Sequence, residues 1–232
     1  MMNEIISIAI DGPSGAGKSS LARKCAEAFG FVYADTGAIY RTVGLAALRT
    51  GTDRKDEIAI AGLLPTLKIE VAYNEEGEQR MFLNGEDVSD EIRLPEVSIC
   101  ASDVSALPVV RQFLMEMQRD LARRCSVIMD GRDIGTVVLP DADLKIFLTA
   151  DAEERARRRV AQLLEKGVSE DYDKVLADIL YRDEQDTNRE TAPLKKAEDA
   201  VLLDTTGLSF EESFAAISQL ILERFCIQPL AE

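Results

Sequence analysis

Apolar positions along this chain alternate between near-continuous runs and helical repeats. Ile5-Ile6-Ser7-Ile8-Ala9-Ile10 has no polar face, as in a parallel strand covered on both sides, and predicts a strand over residues 4–11. Phe31-Val32-Tyr33-Ala34 predicts a second strand and Ala38–Leu48 a helix closed by Gly51. A short helix is expected over residues 55–64, ended by Pro65. The rhythm then changes to period two, with Lys68–Tyr73 and Arg80–Leu83 separated by turn residues and followed by Asn84-Gly85. That is a small antiparallel sheet. Helices resume near Leu94 and run to about Arg124, interrupted at Pro108.

Buried-strand patterns return at Ser126–Met129, Leu144–Leu148 and Ala200–Asp204. Asp151, answered by Glu154, is placed to box the start of a helix that stops at Gly167. A long helix is expected over residues 169–190, ended by Pro193, and a closing helix over Phe210–Phe225. Strands alternating with helices specify an α/β fold: a five-stranded parallel sheet flanked by helices, joined by right-handed crossovers, with a small antiparallel insert.

At 232 residues the chain is long enough for one large domain or a domain with an insert. Its 46% hydrophobic and 30% charged content is that of an ordinary globular protein. A net charge of −15 argues against a nucleic-acid partner, whose binding rests on phosphate neutralisation. Histidine is absent, which removes Ser-His-Asp, Cys-His and His-ligated zinc chemistry. Cys25, Cys100, Cys125 and Cys226 lack paired spacing and read as reduced thiols. No run approaches the roughly 20 apolar residues of a membrane span, and no basic-then-apolar leader opens the chain. A cytoplasmic monomer is expected.

The first strand leads directly into Gly12-Pro13-Ser14-Gly15-Ala16-Gly17-Lys18-Ser19, and a helical repeat follows from Ser20. This is G-x-x-x-x-G-K-[ST] in the strand–loop–helix context that the pattern requires. Glycines let successive N–H groups turn inward on one anion, and the helix adds the positive end of its dipole. Lys18 is expected on the β- and γ-phosphates and Ser19 on Mg²⁺. The site takes a nucleoside triphosphate.

Arg41, Arg111, Arg132, the 155–159 group, Arg182 and Arg189 lie in six separate segments. Phosphoryl transfer is mostly positioning and charge neutralisation. An acceptor that is itself a phosphate arrives ionised and needs no general base, which suits a histidine-free, arginine-rich chain. Arg158 is expected beside Arg182 at the carboxyl edge of the sheet, whereas Arg157 reads equally well as a solvated position. Asp130, at the end of the third core strand, is placed to hold Mg²⁺ through water, the alternative being a turn residue before Gly131. Asp11 reads as a turn residue with no ligand role. Asn-Lys-x-Asp, the mark of a switch GTPase, is absent.

Five segments in order resemble the bacterial cytidylate kinase family of nucleoside monophosphate kinases. They are Ile10–Ser19, Asp35-Thr36-Gly37-Ala38-Ile39-Tyr40-Arg41, Gly85–Ser89, Asp130–Val138, and Arg182-Asp183 with Asp186 and Asn188-Arg189. The resemblance implies transfer of the γ-phosphoryl group of ATP to CMP or dCMP, with Mg²⁺. It implies a core over residues 1–65 and 107–232, a monophosphate-binding insert over about 66–106 and a lid over about 154–168. ATP would lie on Gly12, Pro13, Ser14, Gly15, Ala16, Gly17, Lys18, Ser19 and Ser20. Thr36, Ser102, Arg111 and Asp133 match positions that read cytosine, and Arg41 and Arg132 positions that hold the acceptor phosphate. Arg182, Asp186 and Arg189 match sugar and phosphate contacts, Arg158 lies in the lid, and Lys18, Arg132, Arg158 and Arg182 would carry the transfer. Thr36 stands where the family commonly has Ser, and Ser19-Ser20 where it commonly has Gly-Thr. The competing readings are a kinase for UMP or AMP and a nucleotide-binding regulator of low activity.

Overall fold

The computed structural model describes residues 5–165 and 167–230. Residue 4 of the expected first strand, Lys166 of the expected lid and the terminal residues 231–232 lie outside the described residues. In chain order the elements are β1 (Ser7–Asp11), α1 (Lys18–Phe29), β2 (Val32–Asp35), α2 (Thr36–Thr50), α3 (Glu57–Leu63), β3 (Ile69–Tyr73), β4 (Gln79–Leu83), β5 (Glu86–Asp87), α4 (Pro95–Ser105), α5 (Pro108–Arg124), β6 (Val127–Gly131), β7 (Leu144–Thr149), α6 (Ala152–Glu165), α7 (Tyr172–Asn188), β8 (Val201–Asp204) and α8 (Phe210–Phe225).

The parallel sheet has the order β2-β6-β1-β7-β8, with Ile8 beside Ile128 and Leu144. Two compact units make up the chain, one of residues 1–32 and 126–232, the other of residues 33–125. In the first, Ile8, Ala9, Ile10, Val127, Ile128 and Met129 are fully buried, as their unbroken apolar runs require. Gly12 leaves β1 with φ of 150°, and a Cβ there would stand 1.9 Å from the Leu148 carbonyl oxygen, so only glycine fits. α8 opens with the Ser209–Glu212 capping box and buries Ile217 and Ile221.

The second unit has its own core, in which Ile39, Val43 and Leu45 of α2 pack with Met81, Val97, Val104 and Leu114. The hairpin has Asn84 and Gly85 both at positive φ, 53° and 87°, the geometry this dipeptide favours between strands. α4 and α5 meet at an angle of 100° around Pro108, where the missing N–H falls at a helix start and costs no bond. Among the described residues no single helix is long and apolar enough to cross a membrane.

α3 stops at Leu63, just before Pro65 as expected, and the chain continues as a 3₁₀ turn, Leu64–Thr66, whose first positions tolerate proline. One local expectation needs correction. The capping box at Asp151 does not form as read. The Asp151 N–H donates to Thr206 Oγ1, and Glu154 is taken by Arg157 and Arg158. Ile134–Val138 forms a π-helical turn.

Candidate active site

The phosphate loop starts from a strand end and a helix start. Lys18 is the first residue of α1, only 5% exposed, and its Nζ donates to the Pro13 carbonyl at 2.7 Å. Burial, and then the Arg132 charge, push its ammonium down to about 7, against the pull of Asp130, Asp186 and Asp11. Ser19 Oγ donates to Asp130 Oδ2 at 2.7 Å, joining the loop to the end of β6. A hydroxyl and a buried carboxylate are hard oxygen donors, and two of them suit Mg²⁺, which keeps waters and draws its remaining ligands from phosphates. The residues fit the ion.

Beyond Asp130 the chain continues through Arg132 and Asp133. Arg132 Nε donates to Asp186 Oδ2 at 2.7 Å. Asp133 is 3% exposed and lies 3.5 Å from Arg189 Nη2, while Arg189 Nη1 stands 4.0 Å from Asp186 Oδ1. Burial and the charges of Arg132 and Arg159 push the Arg182 guanidinium down. Asp178 and Asp186 pull the other way, and like charges on Arg132 and Arg182 in a partly buried place suit an anion.

Of the 155–159 group it is Arg159, exposed on α6, whose charge bears on Arg182. Arg158 turns away, donating to Glu154, Thr205 Oγ1 and the Thr205 and Leu208 carbonyls. Glu154, one turn back, fixes that direction. Arg157 is 61% exposed and paired with the same carboxylate, the solvated reading.

Arg155, which sequence reasoning did not separate from its neighbours, is 5% exposed. It donates to the Ser14 carbonyl at 2.9 Å, the Ala150 carbonyl at 2.8 Å and both Asp183 oxygens. It ties the phosphate loop to α6 and α7. Only Asp183, next to Arg182 in the sequence, hinted at it. Removing one partner of a buried pair leaves the other charge stranded. Arg155→Met should lower stability by about 3 kcal/mol, seen as a fall in Tm. An unchanged Tm would show the pair to be dispensable.

The remaining candidates lie in the second unit. Asp35 caps α2 through the Ala38 N–H and takes Arg41 Nη2 at 2.8 Å, while Arg41 Nε is buried without a hydrogen-bond partner. Thr36 is buried at the helix start. Gln79 of β4, unnoticed in the sequence, accepts from the Asp35 N–H and donates to its carbonyl, so the antiparallel sheet fixes this corner. Arg111 is 3% exposed, donates to the Ser105 carbonyl and lies 5.4 Å over the Tyr40 ring. Ser102 is exposed on α4.

The family model described as cytidylate kinase matches residues 8–223. A cytidylate kinase of Carboxydothermus hydrogenoformans is 51% identical over 214 residues, 92% of this chain and 96% of that one. The cytidylate kinase of Pasteurella multocida is 48% identical over 228 residues, 98% of this chain and all of that one. Among solved structures, an uncharacterised protein from Eubacterium ventriosum aligns over 95% of this chain and 100% of its own with a TM-score of 0.54 at 16% identity, a likeness of fold alone.

Proposed function

The chain belongs to the cytidylate kinase family, and on that footing we propose that it transfers the γ-phosphoryl group of ATP to CMP or dCMP, giving ADP and CDP or dCDP. One observation carries the reading: the end of β6 supplies in succession a carboxylate bonded to the phosphate-loop serine, an arginine and a buried carboxylate. A metal partner, a phosphate partner and a base partner are thus offered within four residues.

Backbone N–H groups of residues 14–20 and Lys18 hold the ATP phosphates, with Gly12 and Pro13 shaping the loop. Ser19 directly, and Asp130 through water, hold Mg²⁺, which when bound neutralises charge on the phosphate oxygens. Arg132 and Arg182 offset the charge of the phosphoryl group in flight. Arg158 joins them by exchanging Thr205 and Leu208 for phosphate oxygens. In the second unit Arg41 holds the acceptor phosphate, and its buried, unsatisfied Nε supports that role. Asp186 and Arg189 take the sugar and phosphate.

Cytosine offers a donor at N4 and acceptors at N3 and O2. Asp133 accepts from N4, while Arg111 with the Thr36 and Ser102 hydroxyls meets the acceptors. Uracil would set a carbonyl against the Asp133 carboxylate. Residues 66–106 and 154–168 serve as insert and lid, excluding water that would otherwise hydrolyse ATP. We place the reaction in the cytoplasm, carried out by a monomer.

The test is ADP release from ATP and Mg²⁺ with CMP, dCMP, UMP, AMP and GMP as separate acceptors. CMP and dCMP should exceed UMP by about 100-fold in kcat/KM. A flat profile would discard the base pocket and keep the kinase. No turnover with any acceptor would discard the kinase.

A further inference from the structure

Asp11 ends β1 immediately before the phosphate loop, and it is 5% exposed. Its Oδ1 accepts from the Ile134 N–H at 2.7 Å and its Oδ2 from the Gly135 N–H at 2.7 Å. These are the first two amides after Asp133. They open the π-helical turn Ile134–Val138, whose later amides at Val137 and Val138 return to the Asp133 carbonyl. First-turn N–H groups have no partner within their own helix. Here a carboxylate from another strand supplies both partners, so the residue before the phosphate loop grips the turn behind Asp133.

We infer that Asp11 is a positioning residue for the acceptor nucleotide: by holding the Ile134 and Gly135 amides it sets the direction of Arg132 and Asp133. The inference rests on the acceptor-binding roles proposed above for those two side chains.

Only a carboxylate does this, because both oxygens must accept and an amide has one acceptor. Burial pushes the Asp11 carboxyl up to about 6, with Asp133 adding to the rise, while the two amides and Lys18 pull it back. The ammonium of Lys145 does not answer Asp11, since it is held by Asp199 and the Pro140 carbonyl. Its methylene stem packs instead on Gly135, where a Cβ would lie 3.1 Å from Lys145 Cδ and 3.4 Å from Asp11 Oδ2. The contact is therefore closed from both sides.

Asp11→Asn should raise the KM for CMP about tenfold, the loss of one buried charge-assisted hydrogen bond, and leave the KM for ATP within about twofold. Gly135→Ala presses on the same contact from the other side and should give the same split, which keeps the test open if Asp11→Asn does not fold. Equal rises in both KM values, or a CMP value unchanged in both folded variants, would overturn the inference. Amide hydrogen exchange reads the contact without reference to activity. Ile134 and Gly135 should be protected in the natural protein and Gly135 deprotected in Asp11→Asn; fast exchange of both in the natural protein would equally overturn it. Failure of the natural protein to phosphorylate CMP would instead strike the functional reading.

Discussion

Lys18→Ala should leave a folded protein whose turnover with ATP and CMP falls by about 100- to 1000-fold, the effect of losing one preorganised charge aimed at a reacting group. The size follows from where the ammonium sits. Phosphoryl transfer gives the protein little covalent work, so charge placed at the moving group is most of what it contributes. Lys18 is buried at the start of α1, where its charge is screened far less than at the surface. Stability should survive, because burial already works against this ammonium and pushes it down to about 7. Its hydrogen bond to Pro13 leaves a carbonyl of the loop rather than a charge when it goes. Steady-state kcat beside a thermal melt separates the two effects. Turnover within tenfold of the natural protein at an unchanged Tm would remove Lys18 from the chemistry.

What the sequence discloses of this site divides by distance along the chain. The phosphate loop, the Asn84-Gly85 hairpin, the Gly51 helix end and the Ser209 cap are set by neighbours within a few residues. Each reads directly as a pattern of glycine, capping and apolar residues. The Ser19–Asp130 contact was accessible for a different reason: both residues lie at strand or helix ends that a parallel sheet brings to one edge. Helix phase was harder. Four arginines within five residues look alike in one dimension, yet a step of about 100° between successive residues sends Arg155 inward, Arg158 to Thr205, and Arg157 and Arg159 to exposed positions. Asp11 and Gln79 gave no local sign. Their partners are backbone groups 123 and 44 residues away, and a backbone N–H has no identity that a sequence can display. The grip of Arg155 on Ser14, across 141 residues, belongs to the same class. Asp151 shows the converse, a correct local pattern overridden because Thr206 and two arginines offered Asp151 and Glu154 other partners.

Asp133→Ala should raise the KM for CMP by about 30- to 100-fold, the worth of a buried hydrogen bond to a charged acceptor, while the KM for ATP stays within about threefold. The carboxylate is buried directly after the arginine assigned to the acceptor phosphate, so its loss falls on the acceptor and not on the phosphate loop. Arg189 is not stranded by the change, since it keeps the Ala192 carbonyl and the carboxylate of Asp186. The effect is therefore a loss of recognition rather than a collapse of the surroundings. Asp133→Asn sharpens the test. An amide presents an oxygen to the N4 amino group of cytosine or, turned over, an NH₂ group to the O4 of uracil. That variant should keep part of its CMP activity and gain on UMP, so that the ratio of the two kcat/KM values falls by tenfold or more. Equal losses toward CMP and ATP in Asp133→Ala, or an unmoved CMP-to-UMP ratio in Asp133→Asn, would take base recognition away from Asp133.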